Sequence, residues 1–252
     1  MVRTIFTYFC LFLLVILATV IGFPLNFICL FGLRKLRLQI NRLIGKYWAL
    51  ALIKIIGCKV TVTGRENIPP KEGFCFVSNH CSIFDIVLIL AYADRPLGFI
   101  AKKELAIVPL INIWIPMLGG LYIDRKNMRN SLTTINKGIT RIQTGGTMVV
   151  FPEGRRSRGQ GLLPFHAGSM RLATHAKAPI IPIAISGTYD IFEKTYRVCP
   201  GPVYISFGKV IETAELSASD RKQLLTAQIY DEIKNLLGAQ GNTGAPANLI
   251  EY

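Results

Sequence analysis

Thr4 to Leu33 forms a run of thirty residues without a charge, closed by Arg3 on one side and by Arg34-Lys35-Leu36-Arg37 on the other. As one helix it would be about 45 Å long, more than the roughly 30 Å of hydrocarbon in a bilayer. Gly22 and Pro24 interrupt the run. The pattern therefore predicts either one span over residues 4–23 with an interfacial tail, or a bent hairpin embedded in one leaflet. A cleaved leader fits poorly, because the run is long and Ala18-Thr19-Val20 is a weak cleavage site. Residues 34–59 then carry Arg34, Lys35, Arg37, Arg42, Lys46, Lys54 and Lys59 before the first acid, Glu66. With Leu, Ile, Tyr47 and Trp48 interleaved, this is a basic amphipathic segment suited to anionic lipid. The positive-inside tendency turns it, and the domain after it, toward the cytoplasm.

From Cys58 the pattern changes to short apolar runs separated by turns and helical stretches. Lys59–Gly64, Phe74–Ser78, Phe99–Ala101, Leu121–Ile123, Thr147–Phe151, Ile180–Ile185 and Val203–Phe207 read as strands. Helices are expected from about Ile83, over Asn127–Gln143 and Ser169–Ala176, and over Ser217–Leu237 with Gly238 as the stop. Strands alternating with helices predict an α/β fold with a mixed, mostly parallel sheet flanked by helices. The expected organisation is a membrane-anchoring region 1–57, an α/β domain 58–238 and a flexible Gly/Asn/Pro-rich tail 239–252.

Composition sharpens this picture. Hydrophobic residues make up 51 % of the chain and mean hydropathy is +0.40, while Lys and Arg exceed Asp and Glu by fourteen. A charge balance of this kind suits nucleic acid, an anionic membrane surface or an acidic substrate. Because only 17 % of residues are charged, and no aromatic–basic RNA motif occurs, the membrane is favoured and nucleic acid is not expected. Six cysteines without a C-x-x-C spacing read as reduced residues of a protein facing a reducing compartment. The three histidines form no close-spaced ligand set, so neither a metal nor a bound cofactor is expected. G-x-S-x-G, the P-loop and G-x-G-x-x-G are all absent.

The densest chemistry lies in Phe74–Asp85, where an apolar strand ends in Asn79-His80 and Asp85 follows five residues later. A strand-to-helix turn would fold the two side chains together, with Asp85 fixing the imidazole tautomer while His80 takes a proton as general base. The same residues also fit a plain capping turn with an ordinary first-turn acid. Cys81 beside His80 raises a third possibility, a thiol nucleophile. Three further loops follow apolar strands: Gly119–Arg125, Phe151–Arg158 with Glu153, Gly154 and three arginines, and the stretch around Ile180–Ile185. Clustered arginines favour bidentate phosphate binding, although such a loop is also a common solvated surface.

Asn79-His80-x4-Asp85, Gly120-x3-Asp124-Arg125, Phe151-Pro152-Glu153-Gly154 and Ile181-Pro182-Ile183 resemble the four ordered motifs of the glycerolipid acyltransferase family, in particular its bacterial 1-acylglycerol-3-phosphate acyltransferases. The resemblance covers about residues 58–215. It implies acyl transfer from an acyl-carrier protein or coenzyme A thioester, as co-substrate, to the sn-2 hydroxyl of lysophosphatidic acid at the bacterial inner membrane. His80 would be the base and Asp85 its orienting partner. Asn79, Lys103, Arg125, Phe151, Pro152, Glu153, Gly154, Arg155 and Ser157 would bind the acceptor, and Ile181 and Pro182 would line the acyl side. Arg155 stands where the family usually has Thr, and His166 where a Lys is common, so another lysolipid acceptor remains a rival. A non-catalytic lipid-binding protein is the rival from a different class.

Overall fold

A computed structural model describes residues 1–28, 33–70, 73–214, 224–241 and 249–250. The first helix, α1 (Val2–Ile28), runs through both Gly22 and Pro24. Gly22 is there for packing: a Cβ on it would lie 2.9 Å from the Trp114 ring. The second helix, α2 (Arg34–Ile56), returns antiparallel to α1. At one end the amides of Asn26 and Asn41 exchange hydrogen bonds of 2.7 and 2.9 Å, and at the other Arg3 reaches Gly57. The chain thus reverses into α2 rather than bending at Pro24.

The basic stripe of α2 is one face of a helix whose other face is core. Lys35, Leu36, Tyr47 and Lys54 are exposed, whereas Ala49, Leu52, Ile53 and Ile56 join the same apolar cluster as α3 (Phe84–Tyr92). The helix grouped with the anchor by its charge pattern therefore shares the core of the α/β domain. It ends at Gly57, whose left-handed φ of 80° lets its N–H reach the carbonyls of Ile53 and Lys54.

The remaining elements are β1 (Lys59–Thr63), β2 (Cys75–Ser78), β3 (Leu97–Lys102), α4 (Ile111–Met117), β4 (Leu121–Ile123), α5 (Met128–Gln143), β5 (Thr147–Val150), α6 (Arg171–Ala176), β6 (Ile180–Ser186), α7 (Thr188–Ile191), β7 (Pro202–Phe207), α8 (Leu224–Gly241) and β8 (Leu249–Ile250). The strands form a sheet in the order β4-β3-β5-β2-β6-β7-β1-β8. Pairing is parallel from β4 to β6, antiparallel between β6 and β7, parallel between β7 and β1, and antiparallel at β8. One apolar layer packs under α2 and α3, the other under α5, α6 and α8.

The parallel strands β4, β3, β5, β2 and β6 all end at one edge of the sheet, so the loops after them converge there. The antiparallel turn to β7 sends the ends of β7 and β1 to the opposite edge.

Helix α8 continues past Gly238. The reason is Gln240, whose amide donates to the Ala184 carbonyl and the Ser206 hydroxyl and accepts from Ser186, pinning the last turn to the sheet. The expected start of this helix at Ser217 lies outside the described residues, as does most of the expected tail; Leu249–Ile250 pairs with β1.

Candidate active site

β2 delivers the polar turn at its C-terminal end. Asn79 is buried, and its amide closes a two-way latch with the Ile185 backbone on β6, both bonds at 2.8 Å. This holds the chain end in place just before it turns. Asn79 therefore faces into the protein and anchors the loop, a positioning place rather than the substrate-contacting one expected.

The next residue is His80, whose Nδ1 lies 2.8 Å from Asp85 Oδ2. Asp85, in the first turn of α3, is completely buried. Its Oδ2 also accepts from the backbone N–H groups of Cys81 (2.7 Å) and Ser82 (2.9 Å), and its Oδ1 from the Thr188 hydroxyl (2.6 Å). With donors on every other side, the carboxyl faces His80 as an acceptor. The imidazole then carries its proton on Nδ1 and leaves the Nε2 lone pair available. The ring stacks on Phe151, with centroids 4.0 Å apart and planes 19° apart, and keeps 15 % of its side-chain surface open.

Thr188 escaped the sequence reading because it lies 103 residues from Asp85, at the start of a one-turn helix with no pattern of its own. Gly187, at φ 82°, makes the turn that brings it there. Loss of this hydroxyl removes one hydrogen bond to a buried carboxylate. Thr188→Val should lower kcat about tenfold to a hundredfold with KM little changed, and Thr188→Ser should restore it. Steady-state kinetics of the two variants check this.

The Phe151–Gly154 loop closes over the turn. Pro152 and Glu153 are buried. Glu153 Oε1 accepts from His80 N–H at 2.7 Å and Oε2 from Leu163 N–H at 3.3 Å. Ser157 N–H donates to the His80 carbonyl at 2.7 Å, and the side chain of Ser157 is buried. Glu153 and Ser157 thus clamp the backbone of His80 from both sides; neither presents its side chain to solvent as the acceptor-binding expectation required. Gly154 has φ 68°, and a Cβ there would meet the His166 ring at 3.1 Å. His166, singled out as a departure from the family pattern, is therefore a neighbour of this loop.

Burial raises Glu153 from 4.5 to about 7. Between those values the folded protein holds a proton that the unfolded chain has released, so this group removes stability as pH rises, with the full penalty above about 7. In Glu153→Gln that part of the slope disappears. The melting temperature of the variant relative to wild type should therefore be higher near pH 8 than near pH 5, as thermal unfolding in detergent can measure.

The cations divide. Arg125 donates to the Gly154 carbonyl and stays exposed. Lys103 pairs with Asp124 at 2.8 Å, tying the loop after β3 to the loop after β4. Arg156 is committed to Glu193, whereas Arg155 and Arg158 are exposed.

Two expectations fall away from the site. Ile181 and Pro182 pair with Phe76 and Val77 in the middle of β6 and are buried in the sheet, so no face of either is open to an acyl chain. Burial pushes the Cys81 thiol up to about 12, with its sulfur between the Asn79 amide and the Ile185 carbonyl. A protonated thiol in that environment does not serve as a nucleophile near neutrality.

Several known proteins are similar to this chain. The acyltransferase family model matches residues 59–186. A 1-acyl-sn-glycerol-3-phosphate acyltransferase from Borreliella burgdorferi is 31 % identical over 180 residues, covering 71 % of this chain and 72 % of that protein. The protein of the same name from Limnanthes douglasii is 29 % identical over 241 residues, 92 % of this chain and 82 % of its own. Among solved structures, the 1-acyl-sn-glycerophosphate (LPA) acyltransferase PlsC from Thermotoga maritima superposes with a TM-score of 0.84 at 25 % identity, covering 97 % of both chains. The chain belongs to the acyltransferase family.

Proposed function

We propose that this protein transfers a fatty acyl group from an acyl thioester, of acyl-carrier protein or coenzyme A, to the sn-2 hydroxyl of 1-acylglycerol-3-phosphate, giving phosphatidic acid. The observation that carries the reading is the His80–Asp85 pair at 2.8 Å, at the mouth of the loops that follow the parallel strands. The family's relatives named above supply the acceptor.

In this reading Nε2 of His80 removes the proton of the acceptor hydroxyl as its oxygen attacks the thioester carbonyl carbon. Asp85 balances the positive charge that forms on the ring. The tetrahedral intermediate collapses with cleavage of the C–S bond, and the departing thiolate takes the proton back from His80. No acyl-enzyme forms, in keeping with the protonated Cys81. The exposed cations Arg125 and Arg155 lie on loops beside the turn and suit the acceptor phosphate. The long apolar helix α1, 27 residues from Val2 to Ile28, keeps the protein at the membrane where such an acceptor resides.

Purified protein in detergent, given lysophosphatidic acid and either thioester, tests the reaction. Phosphatidic acid should form one for one with free thiol; thiol release without lipid product would mean hydrolysis and overturn the reading. Arg125→Ala should raise the KM for lysophosphatidic acid about tenfold and leave kcat nearly unchanged. An unaltered KM would remove Arg125 from the phosphate site.

A further inference from the structure

The apolar surface of α1 does not end with that helix. The 3-10 turn Lys103–Ile107 and helix α4 follow β3, and they expose Leu105, Ile107, Ile111 and Ile113, with Ile107 84 % accessible. At the start of α5, Met128 is 78 % accessible and Leu132 is exposed as well. Lone exposed apolar residues are ordinary, but a contiguous patch with a polar rim marks an interaction surface.

Three contacts join these residues into one surface. The Lys103–Asp124 ion pair ties the 3-10 turn to the turn that leads into Met128. The Tyr122 hydroxyl donates to the Asn112 carbonyl, fastening α4 to β4. Trp114 of α4 donates from its indole to Thr19 of α1 at 3.0 Å and covers Gly22. The patch is therefore continuous with the second half of α1, whose Val20, Ile21, Phe23 and Phe27 are also exposed.

Its rim is basic. Between residues 102 and 129 the chain carries Lys102, Lys103, Arg125, Lys126 and Arg129 against Glu104 and Asp124. An apolar surface with a cationic border complements a bilayer carrying anionic lipid, in which apolar side chains enter the acyl boundary and Lys or Arg meet the headgroups.

We propose that the Leu105–Ile113 segment, together with Met128, is a second membrane-contacting surface that seats the active-site edge of the sheet on an anionic bilayer. The segments follow β3 and β4, whose ends lie on the same sheet edge as His80. The contact thus holds the mouth of the site at the lipid surface, apart from the anchoring by α1. Its consequence, that a lipid acceptor reaches His80 directly from the bilayer, rests on the function proposed above; the contact itself does not.

The test is fluorescence quenching by phospholipids brominated along the acyl chain. Ile107→Trp is compared with Lys209→Trp, an exposed position after β7 on the opposite edge, each combined with Trp48→Phe and Trp114→Phe so that the introduced indole is the only one in the chain. Both full-length variants are reconstituted into phosphatidylcholine vesicles containing phosphatidylglycerol. The indole at position 107 should lose about half its emission and that at 209 about a tenth or less, each relative to its own spectrum with unbrominated lipid. Equal quenching at the two positions, in protein that co-floats with the vesicles, would overturn the proposal. So would an indole at 107 that is blue-shifted yet unquenched, the signature of a second copy of the chain covering the patch. Neither readout depends on catalysis, so a wrong assignment of the reaction leaves this test intact.

Discussion

His80→Ala should abolish acyl transfer, lowering kcat by about a thousandfold or more, while the protein stays folded. The rate falls because Nε2 of His80 is the basic atom that the geometry leaves free, its partner Nδ1 being held by Asp85. The fold survives because Asp85 keeps three other donors, from Cys81, Ser82 and Thr188. No buried group is stranded when the ring is removed. Circular dichroism and the melting temperature of the variant, measured beside its activity, separate loss of the base from loss of structure.

Asp85→Asn is the second large effect, and it isolates charge from hydrogen bonding. The amide oxygen can replace Oδ2 as acceptor for His80, Cys81 and Ser82, and the amide N–H can donate to Thr188, whose hydroxyl then accepts. The hydrogen-bond count is preserved, so thermal stability should stay near that of wild type. What disappears is the negative charge beside the forming imidazolium. At an effective dielectric of about 20 that interaction is about 4 kcal/mol, so kcat should fall by about a hundredfold to a thousandfold. Asp85→Ala differs: it leaves the buried N–H groups of Cys81 and Ser82 without an acceptor and should cost about 2–4 kcal/mol of stability. A stable, slow Asn variant beside an unstable Ala variant is the pattern expected of a carboxylate that serves both purposes. An Asn variant with full activity would mean that Asp85 is only a cap.

The site was legible in the sequence where it is local. His80 and Asp85 are five residues apart, and the strand before them and helix after them are strongly apolar, so their approach follows from the turn alone. The strands were legible for the same reason: β2, β5 and β6 are short runs rich in Val, Ile and Phe, buried on both faces. What the sequence hid depends on distance or on tertiary docking. Thr188 reaches Asp85 through the sheet, and Asn79 turns inward because β6 offers a backbone donor and acceptor at the right height. The arginines of the 155–158 loop look alike in sequence, yet a distant Glu193 claims one of them. Helix α4, Ile-Asn-Ile-Trp-Ile-Pro-Met, reads more like a strand by propensity; its contact with α1 through Trp114 overrides that preference. Gly22, Pro24 and Gly238 look like helix breaks in the sequence, but Gly22 serves close packing against Trp114, and the last turn of α8 is held beyond Gly238 by Gln240.

Ile181 and Pro182 are buried in the sheet. Their place in a motif does not bring them to the surface, because they lie in mid-strand with Phe76 and Val77 beside them. Their contribution is to the rigidity of the sheet whose ends carry His80 and Glu153. Glu153 has a comparable structural side, since it holds the His80 backbone while burial raises its own proton affinity. The loop is thus bound by a carboxylate whose charge is costly to keep.

Acyl transfer by the purified protein decides the acceptor and the base when lysophosphatidic acid is offered beside lysophosphatidylcholine, lysophosphatidylethanolamine and a lyso-aminolipid, with products identified by mass and His80→Ala run in parallel. Phosphatidic acid should be the main product, and it should be lost in the variant. Acylation of another lysolipid in preference, or transfer that persists without His80, would contradict the proposed function.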